Sequence, residues 1–316
     1  MVTNSNQEYG LSDCASLPFV SVIVPVYNDF ERLDRCLNAL ENQTYPNRLY
    51  EVIVVDNGSV SKMDKIVRRY NQAIITVETT PGSYAARNKG INTSKGEIIA
   101  FTDSDCIPLS DWIEKGVNGL LSTPNCGLLS GRIDLYFKSK NKMTAVEVYE
   151  KINAFPQKNR LEKYNFGVTA NLFTFKNVLD DVGLFKSNLK SAGDIEWGKR
   201  VHLSGYKQIY SENTCVLHPA RNSIRQISKK TKRVVGGIYD LNKKNKYKIS
   251  DIISDLRKLL RTILGLGKRF ILGQPPSEKF NGLKEKIQYM LVCAFIGFVK
   301  IYEKWKLSKG TTSARA

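Results

Sequence analysis

"FVSVIVPVYN", residues 19–28, is a nearly unbroken apolar, β-branched run that stops in turn residues. A strand with one wet face would alternate, so a continuous run of Val and Ile points to a sheet covered on both sides. The next stretch, "DFERLDRCLNAL" (29–40), sets Leu33, Leu37 and Leu40 at helical spacing, with Asn28 or Asp29 placed to cap it. Together they make one βα unit, and the pattern recurs. "YEVIVVDNGS" (50–59) precedes a helix holding Ile66, Val67 and Tyr70. "AIITVE" (73–78) precedes one from about Ser83 to Thr93, and "GEIIAFTD" (96–103) precedes one from about Pro108 to Leu121. The expected class is α/β, a mostly parallel sheet flanked by helices.

In such sheets ligands bind beyond the carboxyl ends of the strands. Tyr27 and Asn28 stand there after the first strand, the Asp56–Ser59 turn after the second, and Asp103 and Asp105 after the fourth. Each cluster taken alone could be a helix cap or a plain turn. A cap accounts for one carboxylate of "DSDC" (103–106), however, not for two side by side. Backbone amides and a Gly-Ser turn suit a nucleoside diphosphate, and a hard cation shared with phosphate oxygens suits paired aspartates. Mn²⁺ or Mg²⁺ is the expected partner of Asp103 and Asp105.

The chain has 316 residues and a net charge of +18. Residues 1–220 hold 25 Lys/Arg against 24 Asp/Glu, and residues 221–316 hold 23 against 6. The charge therefore belongs to the last third, which sets an expected boundary near Ala220 between a neutral body and a basic extension. Residues 1–18 read as a polar leader without a secretory pattern, and a cytoplasmic location is expected. The six cysteines are scattered without metal-ligand spacing, which supports neither a zinc site nor a disulfide framework.

Six stretches, in this order and spacing, resemble the family 2 glycosyltransferases of GT-A fold: "VSVIVPVYND" (20–29), "VIVVDNGS" (52–59), "PGSYAARNKG" (81–90), "FTDSDC" (101–106), "AGDIEWGKRVHLSGY" (192–206) and "VLHP" (216–219). The resemblance spans residues 20–220. It implies a nucleotide-sugar donor, UDP or dTDP sugars favoured, a metal held by a DXD-type motif, and transfer with inversion. Carried over by position, it implies that Pro25, Tyr27 and Asn28 line the nucleoside pocket and that Asp56 bonds the base. Arg87 and Asn88 would hold the metal-binding loop and the donor, with Asp103 near the ribose or sugar. Asp105 and His218 would bind the metal. Asp194 matches the catalytic base, although Gly193 replaces the glutamate that usually precedes it. Glu196 is a rival carboxylate two residues on, and Glu196 and Trp197 fall in the acceptor region. Arg200 belongs to the supporting helix.

The expected organisation is a leader (1–18), a GT-A domain (19–220) and a basic amphipathic helical tail (221–316). In the tail, "SDIISDLRKLLRTIL" (250–264) puts Ile252, Leu256, Leu259 and Ile263 on one helical face among basic residues. The apolar run Met290–Val299 is half the length that spans a bilayer. The tail is expected on an anionic membrane surface, at the inner face, with packing on the body or on a partner as the competing role. The acceptor is then a saccharide, lipid-linked or close to the membrane. Nucleic acid is not expected, because no recognition motif accompanies the basic runs. A sugar nucleotidyltransferase would need a Gly-rich basic loop for a triphosphate, which "VPVYNDFERL" lacks. A non-catalytic anion- or membrane-binding protein would have no use for Asp103, Asp105, Asp194 and His218 together.

Overall fold

A computed structural model describes residues 17–61, 63–139, 142–242, 247–274 and 279–313; most of the expected leader lies outside them. The first half is the expected βα repeat. Strands β1 (Val20–Val26), β2 (Tyr50–Asp56), β3 (Ala73–Val77) and β4 (Ile98–Thr102) lie in the order β3-β2-β1-β4, all parallel. Helices α1 (Phe30–Glu41), α2 (Asp64–Val67) and α3 (Ser83–Thr93) connect them. Because side chains alternate along a strand, β1 feeds two cores. Val20, Val22, Val24 and Val26 pack beneath Leu33, Leu37 and Leu40 of α1, and Ile23 faces Ala86 and Ile91 of α3. Both cores being dry explains why β1 and β2 are buried along their whole length.

The sheet then turns mixed. A short β5 (Ile107–Pro108) and helix α4 (Trp112–Leu121) lead to β6 (Cys126–Tyr136), helices α5 (Ala145–Asn153) and α6 (Gln157–Tyr164), and β7 (Asn171–Phe175). Helices α7 (Lys176–Val182) and α8 (Gly193–Leu203) precede the long β8 (Lys207–Pro219). The full order is β3-β2-β1-β4-β7-β6-β8-β5, with β7 antiparallel to both β4 and β6. The switch in connectivity at β1 and β4 opens a crevice beyond their carboxyl ends, where Tyr27 and Asp103 lie.

Three local expectations are corrected. Helix α2 stops at Val67, because Tyr70 turns its hydroxyl back onto Asp34 of α1 instead of continuing the helix. Helix α4 begins at Trp112, since residues 107–108 are taken up in pairing with β8. Helix α1 has no side-chain cap: Asp29 accepts instead from Arg32 Nε at 2.7 Å, and Asn28 sits at φ 50° with its side chain turned to residue 60.

Residues beyond Ala220 form α9 (Ile224–Leu241), α10 (Ile249–Ile271) and α11 (Leu283–Ser308). Ile227 of α9 and Val292 and Ile296 of α11 pack on Val146 of α5, so the change in charge near residue 220 is not a break in packing. Helix α10 buries no residue fully and runs antiparallel to α11, tied by Lys304 Nζ to Asp255 at 2.5 Å and by Leu259 seated against Gly297.

Candidate functional site

A cleft of about 470 Å³ opens at the carboxyl ends of β1 and β4. Pro25 and Tyr27 form one wall, Asp103 and Asp105 reach in from the loop after β4, Asp194 comes from the first turn of α8, and His218 from the end of β8. Helix α9 adds Lys230 and Arg233, and α6 adds Arg160. Tyr27 is 61% exposed, so its ring offers an open face to a flat ligand.

The two neighbouring carboxylates have different partners. Asp103 accepts from Arg87 Nη2 at 2.5 Å, and the buried Arg87 guanidinium also lies over the Tyr84 ring at 5.7 Å. Asp105 faces Arg32 Nη1 at 3.6 Å and His218 Nε2 at 3.7 Å, both too long for hydrogen bonds. His218 Nδ1 is 2.8 Å from the Pro219 carbonyl, which fits a proton on Nδ1 and leaves the Nε2 lone pair turned toward Asp105. Phe155, at φ 46°, brings its ring to 4.6 Å from the imidazole and holds that orientation. Two electron-pair donors facing one another across 3.7 Å are favourable when a cation lies between them. One carboxylate and one neutral imidazole are a donor set suited to Mn²⁺ or Mg²⁺ that completes its shell with substrate oxygens. Among the described residues no group of three or more His, Cys, Asp or Glu converges to hold a metal unaided.

Asp194 and Glu196 share a helix but not an environment. Glu196 accepts from Lys186 at 2.6 Å and Arg200 at 3.0 Å; burial works to raise its carboxyl, and these cations outweigh it and hold it below the ordinary range. Burial raises Asp194 above the ordinary range, opposed only in part by the Ile195 amide, by Arg87 and Arg160, and by Tyr84. The Tyr84 hydroxyl donates to Asp194 Oδ1 at 3.2 Å and accepts from the Asp194 amide at 3.3 Å. Gly193 is what lets the ring approach: a Cβ there would lie 2.8 Å from it. Tyr84 thus fills the space that a side chain at residue 193 would need. Ala192, held at φ 65°, turns the chain into α8 just ahead of this pair.

Not every expected residue reaches the cleft. Asn28 and Asp56 brace the turn after β2, through Val60 and Ser59 amides that donate to Asn28 Oδ1 and Asp56 Oδ1 at 2.9 Å. Asn88 makes two hydrogen bonds to the Phe185 backbone. Trp197 is wholly buried, its indole donating to the Gly183 carbonyl at 3.0 Å and its ring packed on Phe185, so it serves the core and not an acceptor surface. Arg200 bonds the carbonyls of Val182, Gly183 and Leu184, as a supporting residue should. Tyr84, Phe155, Arg160, Lys230 and Arg233 were not singled out from the sequence. Tyr84 stood within "PGSYAARNKG", and Gly193 was its one signal, since a missing side chain leaves room that something else must fill.

An α/β sheet with a crevice at its switch point, lined by aspartates and ringed by cations, suits a nucleotide-sugar transferase of GT-A architecture. The family model described as "Glycosyl transferase family 2" matches residues 21–183, and the chain belongs to that family. It is 42% identical over 212 residues to the glycosyltransferase AglE of Haloferax volcanii, covering 66% of this chain and 69% of that protein. It is 37% identical over 122 residues to the human dolichyl-phosphate beta-glucosyltransferase, covering 34% of this chain and 38% of that enzyme. The solved mannosyltransferase PcManGT from Pyrobaculum calidifontis, in complex with GDP-Man and Mn²⁺, has the same fold at a TM-score of 0.65 and 18% identity, over 92% of this chain and 88% of that one. The protein is a glycosyltransferase that uses a nucleotide-sugar donor.

Proposed function

We propose that the chain transfers its sugar with inversion to an acceptor hydroxyl, with Asp194 as general base. The observation that carries this is the contrast on α8: among the described residues Asp194 forms no ion pair, faces the cleft and is raised by burial, whereas Glu196 is neutralised by two cations. A base near its working range is the better proton acceptor. The acceptor oxygen bonds the anomeric carbon as the bond to the diphosphate breaks, the leaving group takes the electron pair, and the proton passes to Asp194. Tyr84 keeps that carboxylate oriented, and Arg87 fixes Asp103 on the same cleft. Mn²⁺ or Mg²⁺, held by Asp105 and His218, would neutralise the charge gathering on the diphosphate. Tyr27 and Pro25 would hold the nucleoside, with Asn28, Asp56 and Asn88 supporting the loops around it.

A UDP or dTDP donor is the expectation that the family resemblance supplies, while the solved relative carries a GDP sugar, so donor panels should include all three. The transferase unit is taken to run through α9, since Lys230 and Arg233 line the cleft. The acceptor is read as a saccharide, lipid-linked or membrane-proximal, with the last two helices on an anionic inner membrane surface. Among the described residues no helix is long and apolar enough to cross a membrane. Of the α10 face expected from the sequence, Leu259 seats against Gly297 of α11, Ile252 and Ile263 are half-buried and only Leu256 is exposed. The exposed apolar row is instead Ile253, Leu256, Leu260 and Leu264, beside Arg257, Lys258 and Arg261, which is a surface-lying pattern.

The test separates binding from chemistry. Asp194→Asn should leave donor affinity nearly unchanged and lower transfer by about a hundredfold or more, the loss expected for general-base help. If Asp194→Asn transfers at the parent rate, the base is assigned to the wrong carboxylate.

A further inference from the structure

A second cavity, of about 790 Å³, adjoins the cleft and shares Asp105 and His218 with it. It has no contact with Pro25, Tyr27 or Asp194, so it is neither the nucleoside wall nor the position of the base. Arg32, Arg35, Lys138 and Lys229 line it alone, and Arg221, Lys230 and Arg233 line both cavities. Asp105 is the one carboxylate among its described lining residues.

Most of this charge is uncompensated. Arg221 and Lys230 share a single carboxylate, Glu150, at 3.0 and 2.9 Å. Arg35, Lys138, Lys229 and Arg233 pair with no carboxylate among the described residues, and the Arg233 Nε is buried without a hydrogen-bond partner. Arg35, Lys138 and Lys229 are exposed at the cavity's mouth and Arg221, Lys230 and Arg233 are half-buried deeper in it, so the like charges converge at an electrostatic cost that an anion would lower. Several guanidinium and ammonium groups around one space match the spread oxygens of a phosphate or diphosphate better than a single carboxylate. Tyr136, Phe137 and Pro219 add an apolar wall on which the group bearing that phosphate could rest.

We propose that this cavity is an acceptor subsite that holds a phosphate or diphosphate group carried by the acceptor, placing its hydroxyl in the adjoining cleft. The proposal rests on the transferase reading and narrows its substrate class to phosphorylated acceptors.

The test uses the full chain with Mn²⁺ and a saturating nucleoside diphosphate, so that the donor cleft is filled, and titrates inorganic pyrophosphate, geranyl diphosphate and geraniol by calorimetry. Both diphosphates should bind and geraniol should not. Equal affinity for the two assigns the site to phosphate chemistry alone; tighter binding of geranyl diphosphate assigns it to a lipid-carried phosphate. The Arg35→Gln/Lys229→Gln double variant should lose at least about tenfold in diphosphate affinity, as expected for charge-assisted contacts, while its nucleoside diphosphate affinity stays unchanged. Diphosphate that competes with the nucleoside diphosphate for one site, or that binds the double variant as tightly as the parent, overturns the subsite. Hydrolysis of the nucleotide sugar in the absence of acceptor reports separately on the transferase reading, so the two failures are distinguishable.

Discussion

Tyr84 and Gly193 act as one unit at the residue scale. The glycine leaves the space and the tyrosine fills it, so that the Asp194 carboxylate receives a hydrogen bond where a neighbouring carboxylate would have repelled it. A raised carboxyl is protonated over a wider acid range, so base-dependent transfer should fall as pH drops through that raised value. Tyr84→Phe removes a donor that favours the charged form. The acid limb of kcat/KM should therefore move to higher pH by up to about one unit, the scale of one such hydrogen bond; a purely structural tyrosine would lower the rate without moving the profile. That Tyr27, Asp103 and Asp105 line the cleft was legible because strand ends announce themselves by spacing, whereas Asn28 and Asp56, at strand ends too, turn to brace a loop. The role of Tyr84 was not legible, because it depends on an absence more than a hundred residues away.

At the scale of elements, α9 is held over the cleft by Glu150 of α5, which is 1% exposed and bonded by Arg221 and Lys230. Burial pushes Glu150 up, but Lys230 and Arg221 outweigh it and hold it low. Burial, with Arg221 nearby, depresses Lys230 to about 8. A carboxylate lowered in the fold stabilises it above the ordinary carboxyl range, and that contribution is lost as pH falls through the lowered value. Glu150→Ala leaves two cations facing an emptied pocket, and should destabilise the chain by about 2 kcal/mol or more, read as a lower thermal midpoint at neutral pH. The difference from the parent should shrink in acid. The alternating strands and helices of the first half were readable because doubly covered strands are apolar from end to end. The placement of α9 was not: its cations looked like part of a basic extension, and only long-range packing turns Lys230 and Arg233 toward the cleft.

The whole molecule joins a transfer cleft to a helical pair whose outer row is apolar and whose flanks are basic. Leu260 and Leu264 are 55% and 73% exposed, so replacing both with glutamate disturbs little packing. That double variant should bind anionic vesicles at least about tenfold more weakly than the parent, given about 1.5–3 kcal/mol for each buried leucine. Nucleotide affinity should not change, and high salt should weaken the parent's vesicle binding through screening. Equal vesicle binding by the variant and the parent would leave the row to a protein partner. The most direct test of the central claim, that this cleft grips a nucleoside diphosphate through a cation at Asp105 and His218 while Asp194 stays free for chemistry, is a calorimetric titration of UDP, dTDP and GDP into the full chain. One of the three should bind with Mn²⁺ and weaken at least about tenfold in excess chelator, with the same loss in Asp105→Asn and none in Asp194→Asn. Unchanged affinity in chelator and in Asp105→Asn would contradict the account.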